Sequence, residues 1–192
     1  MARSVHLLLV LAALAGCSAT RPSASSVAAG AAPEADALRI ARLERVGRDL
    51  AGYATTDEHL DIALSTRDDL GAWSWPDGRI RVSRALVDAL DDDELRAAVA
   101  HEMGHLLDAG AVADRTTALA GGTGGRPHAA ADIETRADAF ACDLLHARGA
   151  SVAALPRMLR TVASRAADDD TIDPAQLLVR ARVAERSCSA SR

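Results

Sequence analysis

Apolar residues recur at helical spacing in five stretches of the chain. In each stretch they return every three or four residues, which is typical of a helix that buries one face. The acidic run 91–94 suits the positive end of a helix dipole, and Gly110 is expected to end the helix that starts there. The predicted helices cover residues 34–50, 91–110, 129–146 and 151–166, and a last one begins at Asp173-Pro174. Core positions are expected at Leu38, Leu43, Val46 and Leu50 of the first helix and at Leu177, Leu178 and Val183 of the last.

Between the first two helices the pattern changes to short runs that are typical of strands. Residues 61–65, 70–75 and 79–83 are predicted strands, and Pro76-Asp77-Gly78 is a tight turn between the last two. Trp73 and Trp75 are expected to pack in the core, because large aromatic side chains are usually buried; lining a cleft is the alternative. The pattern predicts an α+β domain that is mostly helical, with a small sheet beside the second helix.

A cluster of potential metal ligands lies in the middle of that helix. His101 and His105 are four residues apart, so their rings leave one face of the helix and can close on one metal ion. Glu102 lies on an adjoining edge, from which a carboxylate can reach a water on that metal. Glu134 of the next helix supplies an acidic third ligand, and Asp138 is expected to accept the second ring N–H of a ligand histidine. Three protein ligands leave a position open for water, which predicts one catalytic Zn²⁺ per chain.

Simpler explanations exist for these residues. Paired histidines can meet in this spacing by chance. A solvated acidic face would also account for Glu134 and Asp138, but both border an apolar stripe, which favours ligation. For Asp138, a surface salt bridge to an arginine is the alternative.

Residues 71–140 resemble the HtpX, BepA and CAAX prenyl protease group of zinc peptidases, which are gluzincins with a glutamate as third ligand. The resemblance lies in the strand and turn at 71–80, a short helix, the acidic helix start, the paired histidines, and Glu-x-x-Ala-Asp at 134–138. Gly71 and Asp77 depart from the Asn and Gly of the group's pattern Asn-Ala-x-x-x-Pro-Gly-Gly-x-Ile. The resemblance implies a zincin-like (minigluzincin) domain whose edge strand pairs with the substrate backbone.

The resemblance also implies the residue roles. His101, His105 and Glu134 would bind zinc, and Glu102 would be the general base that deprotonates the attacking water and then protonates the departing amine. The group that stabilises the oxyanion stays open. The candidates are His128, His146 and the arginines of the last helices. His128, in a predicted loop, could also be a removable fourth ligand or simply exposed, and His146 could simply end its helix favourably.

The N-terminus predicts export and a lipid anchor. The apolar run 7–14 is too short to span a bilayer and is typical of a signal peptide. It ends in Leu14-Ala15-Gly16-Cys17, which resembles a bacterial lipobox; a plain secretory signal is the alternative. We therefore expect a signal peptide at 1–16, an acylated Cys17 with a flexible tether to residue 33, and a zinc metallopeptidase domain at 34–192. Ser18 in the second mature position resembles the sorting habit of enteric bacteria, and this resemblance implies the periplasmic face of the outer membrane.

Cysteine content and charge add two expectations. Cys142 and Cys188 remain in the mature chain and could pair in an oxidising periplasm, although their geometry cannot be inferred from sequence. The net charge of −5 and the lack of a basic run argue against nucleic acid as a partner.

The predicted function is zinc-dependent cleavage of unfolded or misassembled envelope proteins. The alternative is a zinc-stabilised chaperone or scaffold lipoprotein for outer-membrane protein assembly, with little or no proteolysis. The oligomeric state is left open.

Overall fold

The computed structural model describes residues 31–51, 60–67, 69–118, 128–166 and 172–190. Within these ranges the chain forms six helices and one sheet of three strands. In chain order the elements are α1 (Ala31–Leu50), β1 (Asp61–Ser65), β2 (Ala72–Ser74), β3 (Arg79–Ser83), α2 (Arg84–Ala89), α3 (Asp92–Ala118), α4 (His128–Ala147), α5 (Ala154–Arg165) and α6 (Pro174–Ala190). The predicted α+β, mostly helical fold class is confirmed, and β1 and β3 have the predicted bounds.

The sheet is mixed and lies beside α3. Its order is β1-β3-β2, with β1 parallel and β2 antiparallel to β3. The predicted tight turn joins β2 to β3, and the Gly78 N–H donates there to the Trp75 carbonyl at 3.0 Å. Gly78 has a φ of 86°, in the left-handed region that favours glycine. Ser74 of β2 contacts Glu102 of α3, so the edge strand runs along the helix that carries the paired histidines.

The start of α3 is stabilised by a reciprocal pair of hydrogen bonds. The Glu94 N–H donates to Asp91 Oδ1 at 2.7 Å, and the Asp91 N–H donates to Glu94 Oε2 at 3.1 Å. This capping box satisfies backbone donors that a helix start leaves without partners. The prediction that Gly110 ends the helix is wrong, because α3 continues to Ala118. One glycine costs a helix only about 1 kcal/mol relative to alanine, so it does not end a helix by itself.

The hydrophobic core lies where α1, α3, α4 and α5 meet the inner face of the sheet. The largest fully buried side chains include Leu43, Leu50, Ile80, Leu95, Leu144, Leu145 and Leu155. After α4, Gly149 with a φ of 64° turns the chain toward α5, and the Ala150 N–H donates back to the Leu145 carbonyl at 2.9 Å. The last helix, α6, packs against both α4 and α5. This position brings the polar side chains of α6 toward the middle of α4.

The prediction that the two tryptophans pack in the core is wrong. Ser74 faces α3, so the alternation along β2 points Trp73 and Trp75 to the other face of the strand. Trp75 is 36% exposed, and the Arg79 guanidinium lies 5.4 Å from its ring centroid. Trp73 is half-buried, with the guanidinium of Arg67 4.4 Å from its ring centroid. Stacked arginines therefore cover these indoles in place of the core.

Some apolar positions of the outer helices also differ from prediction. Leu38 of α1 is 68% exposed, and Leu178 and Val183 of α6 are exposed as well. The buried face of α6 carries Ala181 and Cys188 instead. A helix on the surface buries only one stripe, so apolar residues outside that stripe remain in solvent.

The predicted signal peptide and Cys17 lie outside the described residues, as does most of the predicted tether. Its last residues belong to α1, which begins at Ala31. Among the helices that the structure describes, none combines the length and the apolar character needed to cross a membrane.

Candidate metal centre

Two histidines face each other in the middle of α3. His101 and His105 are about one helical turn apart, so their side chains leave the same face of the helix. Their Nε2 atoms lie 3.1 Å apart, and their rings meet edge to face with centroids 4.7 Å apart. Both Nε2 atoms therefore border the same space, as two donors to one metal ion must.

The carboxylate of Glu134 on α4 completes a triangle with these two nitrogens. Its Oε2 lies 3.4 Å from His101 Nε2, and its Oε1 lies 3.4 Å from His105 Nε2. Ligands at the usual zinc distances of about 2.0–2.1 Å in a tetrahedron are separated by about 3.3–3.4 Å. The three groups thus fit a zinc ion in their spacing, and imidazole nitrogen and carboxylate oxygen are donors that zinc accepts.

Close packing of α3 on α4 brings Glu134 to the histidines. A Cβ at Gly104 would lie 2.8 Å from the Cα of Ala137 and 3.0 Å from its carbonyl oxygen. Any side chain at position 104 would therefore push the two helices apart. Glu134 precedes Ala137 by nearly one turn and Asp138 follows it directly, so the close approach presents both carboxylates to α3.

Glu102 lies beside the triangle. One carboxylate oxygen of Glu102 lies within 4.8 Å of ring nitrogens of His101 and His105. Its Oε2 accepts a hydrogen bond from the Ser74 hydroxyl at 2.8 Å, which ties the carboxylate to β2. This bond holds the Glu102 carboxylate beside the two histidines.

Asp138 contacts two basic groups at once. Its Oδ1 lies 2.9 Å from His101 Nδ1, a buried atom that makes no hydrogen bond of standard geometry. Its two oxygens accept hydrogen bonds from Arg180, at 2.9 Å from Nε and 2.7 Å from Nη2. The contact with a ligand histidine and the salt bridge to an arginine, which are alternatives in the sequence, occur together in the structure.

Arg180 of α6 is a site residue that the sequence patterns do not single out. Its Nη1 lies 2.7 Å from Glu134 Oε2, and its Nη2 lies 3.4 Å from His101 Nε2. The sequence groups it only with the other arginines of the last helices. The helical spacing of the sequence could have indicated that Arg180 is buried. Arg180 follows Leu177 by three residues and precedes Ala184 by four, which places it on the buried stripe of α6. A guanidinium there needs carboxylate partners.

Burial and charge act against each other throughout the centre. Burial disfavours the charged ring of His101, but Asp138 and Glu134 outweigh it and raise the pKa of this histidine to about 9. Burial and the neighbouring charge of His101 lower the pKa of His105. Burial acts to raise the pKa values of Glu134 and Asp138, but His101 and Arg180 favour the ionised forms more strongly, so both pKa values are lowered. The centre thus holds two ionised carboxylates, which are paired with the positive charges of His101 and Arg180.

The other two candidate histidines lie at opposite ends of α4. His128 is the first residue of that helix and not part of a loop, and its side chain lies outside the described part of the structure. His146 is exposed in the last turn, twelve residues beyond Glu134, which corresponds to about 18 Å along a helix. The candidate role of His146 as an oxyanion donor does not fit this position.

A disulfide joins Cys142 of α4 to Cys188 of α6, with their Cα atoms 5.4 Å apart. The pairing that the sequence leaves open is thus present. Cys142 lies one turn beyond Asp138, and Cys188 lies about two turns beyond Arg180. The bond therefore ties α6 to α4 next to the residues that α6 and α4 bring to the metal centre.

The sequence model of peptidase family M48 matches residues 37–121 of the chain. The matched segment runs from α1 through the sheet and α2 to just past the end of α3, and it includes the paired histidines. It confirms the predicted family relationship, and the mostly helical architecture with a small mixed sheet is that of a zincin-like domain. No curated protein matches the chain. Glu134, Asp138 and Arg180 lie beyond the matched segment, so their assignment to the centre rests on the distances above.

Proposed function

We propose that this chain is a zinc-dependent endopeptidase of peptidase family M48, whose sequence model matches residues 37–121. The observation that carries the proposal is the triangle of His101, His105 and Glu134 with Glu102 at its side. The three donor groups have the spacing of ligands on one zinc ion. Three protein ligands leave one position for water, and an adjacent carboxylate is useful for catalysis but not for a purely structural site.

The residues of the centre have separate tasks in peptide hydrolysis. Zinc bound at the triangle would polarise the substrate carbonyl and bring the pKa of a bound water to about 7. Glu102 would accept the proton of the attacking water and deliver it to the departing amine. Asp138 would keep His101 in the tautomer whose Nε2 is free to bind metal. Arg180 would hold the Glu134 carboxylate and is the candidate donor for the oxyanion.

Within the described part of the chain, one edge of β2 has no strand partner, and this edge would bind the substrate backbone. The Trp75 N–H donates to the Arg79 carbonyl, and the Ser83 N–H donates to the Gly71 carbonyl, both at 2.9 Å. Hydrogen-bonded and non-bonded positions alternate along an antiparallel pair, so the backbone groups of Ser74 face away from β3. A peptide added there as a further strand would run past the metal centre. The proposed substrate is therefore an extended segment of an unfolded polypeptide.

The proposed location is the bacterial cell envelope, at the periplasmic face of the outer membrane, with Cys17 as lipid anchor and unfolded or misassembled envelope proteins as substrates. The lipobox-like segment before Cys17 supports it. The Cys142–Cys188 bond gives independent support, because structural disulfides persist in oxidising compartments such as the periplasm. Membrane fractionation of cells that produce the full chain or its Cys17→Ser variant tests the anchor. Loss of the protein from the membrane fraction in the variant is expected.

The test of the enzymatic function is the Glu102→Gln variant. It should retain one zinc per chain and lose casein cleavage by about 10²- to 10⁴-fold, the contribution usual for a general acid–base group. Glu44→Gln, at an exposed position of α1, is the matched control and should cleave like the wild type. If wild type and Glu102→Gln are both inactive with one zinc each, the peptidase proposal fails and the scaffold function gains.

A further inference from the structure

We propose that Ser74 is a positioning residue for the general base, an inference that rests on the proposed peptidase function. The Ser74 hydroxyl donates to Glu102 Oε2 at 2.8 Å, and both residues are half-buried. A carboxylate that can rotate about three side-chain bonds is thereby held by a donor only two atoms from a strand backbone. The hydroxyl occupies Oε2 and leaves Oε1 as the oxygen for the attacking water.

The place of Ser74 in the sheet makes it a suitable residue for this task. β2 is the edge strand, and Ser74 lies opposite Ile80 in its pairing with β3. The ladder bonds formed at Gly71 and Trp75 leave the backbone N–H and carbonyl of Ser74 pointing to the open edge. One residue would thus bind the substrate backbone through its main chain and hold the base through its side chain. This arrangement fixes the distance between the substrate and the proton acceptor.

The contact depends on the side chain that this particular chain has at the position. The sequence pattern of the resembling peptidases, Asn-Ala-x-x-x-Pro, leaves the position of Ser74 open. An alanine there would offer no donor, whereas a threonine would keep the hydroxyl. The neighbouring Trp73 and Trp75 point to the other face of β2, so they cannot replace the contact.

The experiment compares Ser74→Ala with Ser74→Thr and with the control Ser65→Ala. Ser65 also belongs to the sheet, but its hydroxyl accepts from the Arg67 N–H and lies on β1. With zinc-loaded protein and a peptide substrate, Ser74→Ala should lower kcat about 10-fold, the change expected when a carboxylate loses one hydrogen bond. KM and the zinc content should not change, because the strand edge and the ligands remain. Ser74→Thr should restore most of kcat, and Ser65→Ala should match the wild type.

Two outcomes would overturn the inference. One is an unchanged kcat in Ser74→Ala, and the other is an equal loss of kcat in Ser74→Ala and Ser74→Thr. An inactive wild type would instead refute the proposed function. Crystal structures of zinc-loaded wild type and Ser74→Ala then decide the inference alone. The Glu102 carboxylate should have one orientation in the wild type and a different one, or several, in the variant; an identical orientation in both would refute the role of Ser74.

Discussion

The two halves of the metal centre are held in place by different means. On α3, His101 and His105 are placed by the helix itself, since a spacing of four residues puts them on one face whatever surrounds the helix. On the other side, Glu134 and Asp138 reach the centre because α4 packs closely on α3 and because Arg180 binds both carboxylates. The first half depends on local structure, and the second depends on tertiary structure.

This difference separates the nitrogen donors of the centre from two of its carboxylates. The local half supplies two imidazoles and Glu102, while the tertiary half supplies Asp138 and Glu134, the carboxylates that contribute most to the raised pKa of His101. A defect in helix packing should therefore weaken metal binding through α4 and leave the histidine pair intact. Variants of the two halves can be compared on this basis.

Loss of a histidine from the local half should have the largest effect. His105→Ala removes one of three donor groups, so zinc affinity should fall by more than the roughly 100-fold that loss of an outer partner causes. Equilibrium dialysis with zinc measures this change. His146→Ala removes an exposed histidine of α4 and should bind zinc like the wild type. Unchanged affinity in His105→Ala would refute its assignment as a ligand.

Next in size is the loss of the carboxylate behind His101. Asp138→Asn keeps the shape of the side chain but removes the charge that faces His101 Nδ1 and Arg180. Above the pKa of His101, where a proton no longer competes with zinc for this ring, zinc affinity should fall about 10- to 100-fold, as is usual when the partner of a metal-bound histidine is lost. Asp143→Asn, at an exposed position of the same helix, is the control for dialysis. Equal affinities in the two variants would mean that Asp138 has no part in metal binding.

The pH dependence of zinc binding should show how the tertiary half acts on the local half. Zinc binds neutral imidazole, and in the metal-free protein the pKa of His101 is raised to about 9, so His101 must first lose a proton. Apparent zinc affinity should therefore rise about tenfold per pH unit from neutral pH and level off above that pKa. Chelator competition across this range measures it.

Asp138→Asn sharpens the pH experiment. The variant lacks one of the carboxylates that raise the pKa of His101, so its zinc affinity should level off at a lower pH than that of the wild type. An affinity that is constant from neutral pH upward in the wild type would contradict a protonated His101 in the metal-free protein.

The smallest effect is expected from a single methyl group between α3 and α4. Gly104→Ala places a Cβ 2.8 Å from the Ala137 Cα, and such overpacking costs about 1–3 kcal/mol against a gain in helix propensity of about 1 kcal/mol. Thermal unfolding should show a net loss of up to about 2 kcal/mol, with zinc affinity lowered less than tenfold. Gly47→Ala meets only the end of the Ile62 side chain, at 3.2 Å, and should be neutral or stabilising. A shift of both variants in the same direction would refute the close packing.

What could be predicted from sequence follows the same division between local and tertiary structure. The bounds of β1 and β3, the acidic start of α3 and the facing of His101 and His105 arise from short-range patterns, and they are found as predicted in the described residues. Gly71 shows the limit of such patterns. A Cβ at position 71 would lie 2.9 Å from the Trp73 ring. Glycine, in place of the Asn of the resembling peptidases, therefore leaves room for this indole. The sequence pattern predicts the same indole in the core.

The parts that sequence patterns miss need partners that are distant in the chain. Arg180 is 42 residues from Asp138, and nothing near it in sequence indicates which carboxylates it will meet. Trp75 was expected inside because its size favours burial, but the fold gives it an edge strand and an arginine neighbour. The exposure and the partners of such side chains depend on where the fold places them, and the periodicity of the sequence does not give this position.

Because Arg180 and Cys188 lie on the last helix, they limit how far the protein can be truncated without loss of the metal centre. A fragment trimmed to the segment that the family match covers, residues 37–121, would keep the two imidazoles but would lack Glu134, the arginine that grips it and both sulfurs of the cross-link. The smallest fragment that retains the whole metal centre and the Cys142–Cys188 disulfide must therefore extend through α6.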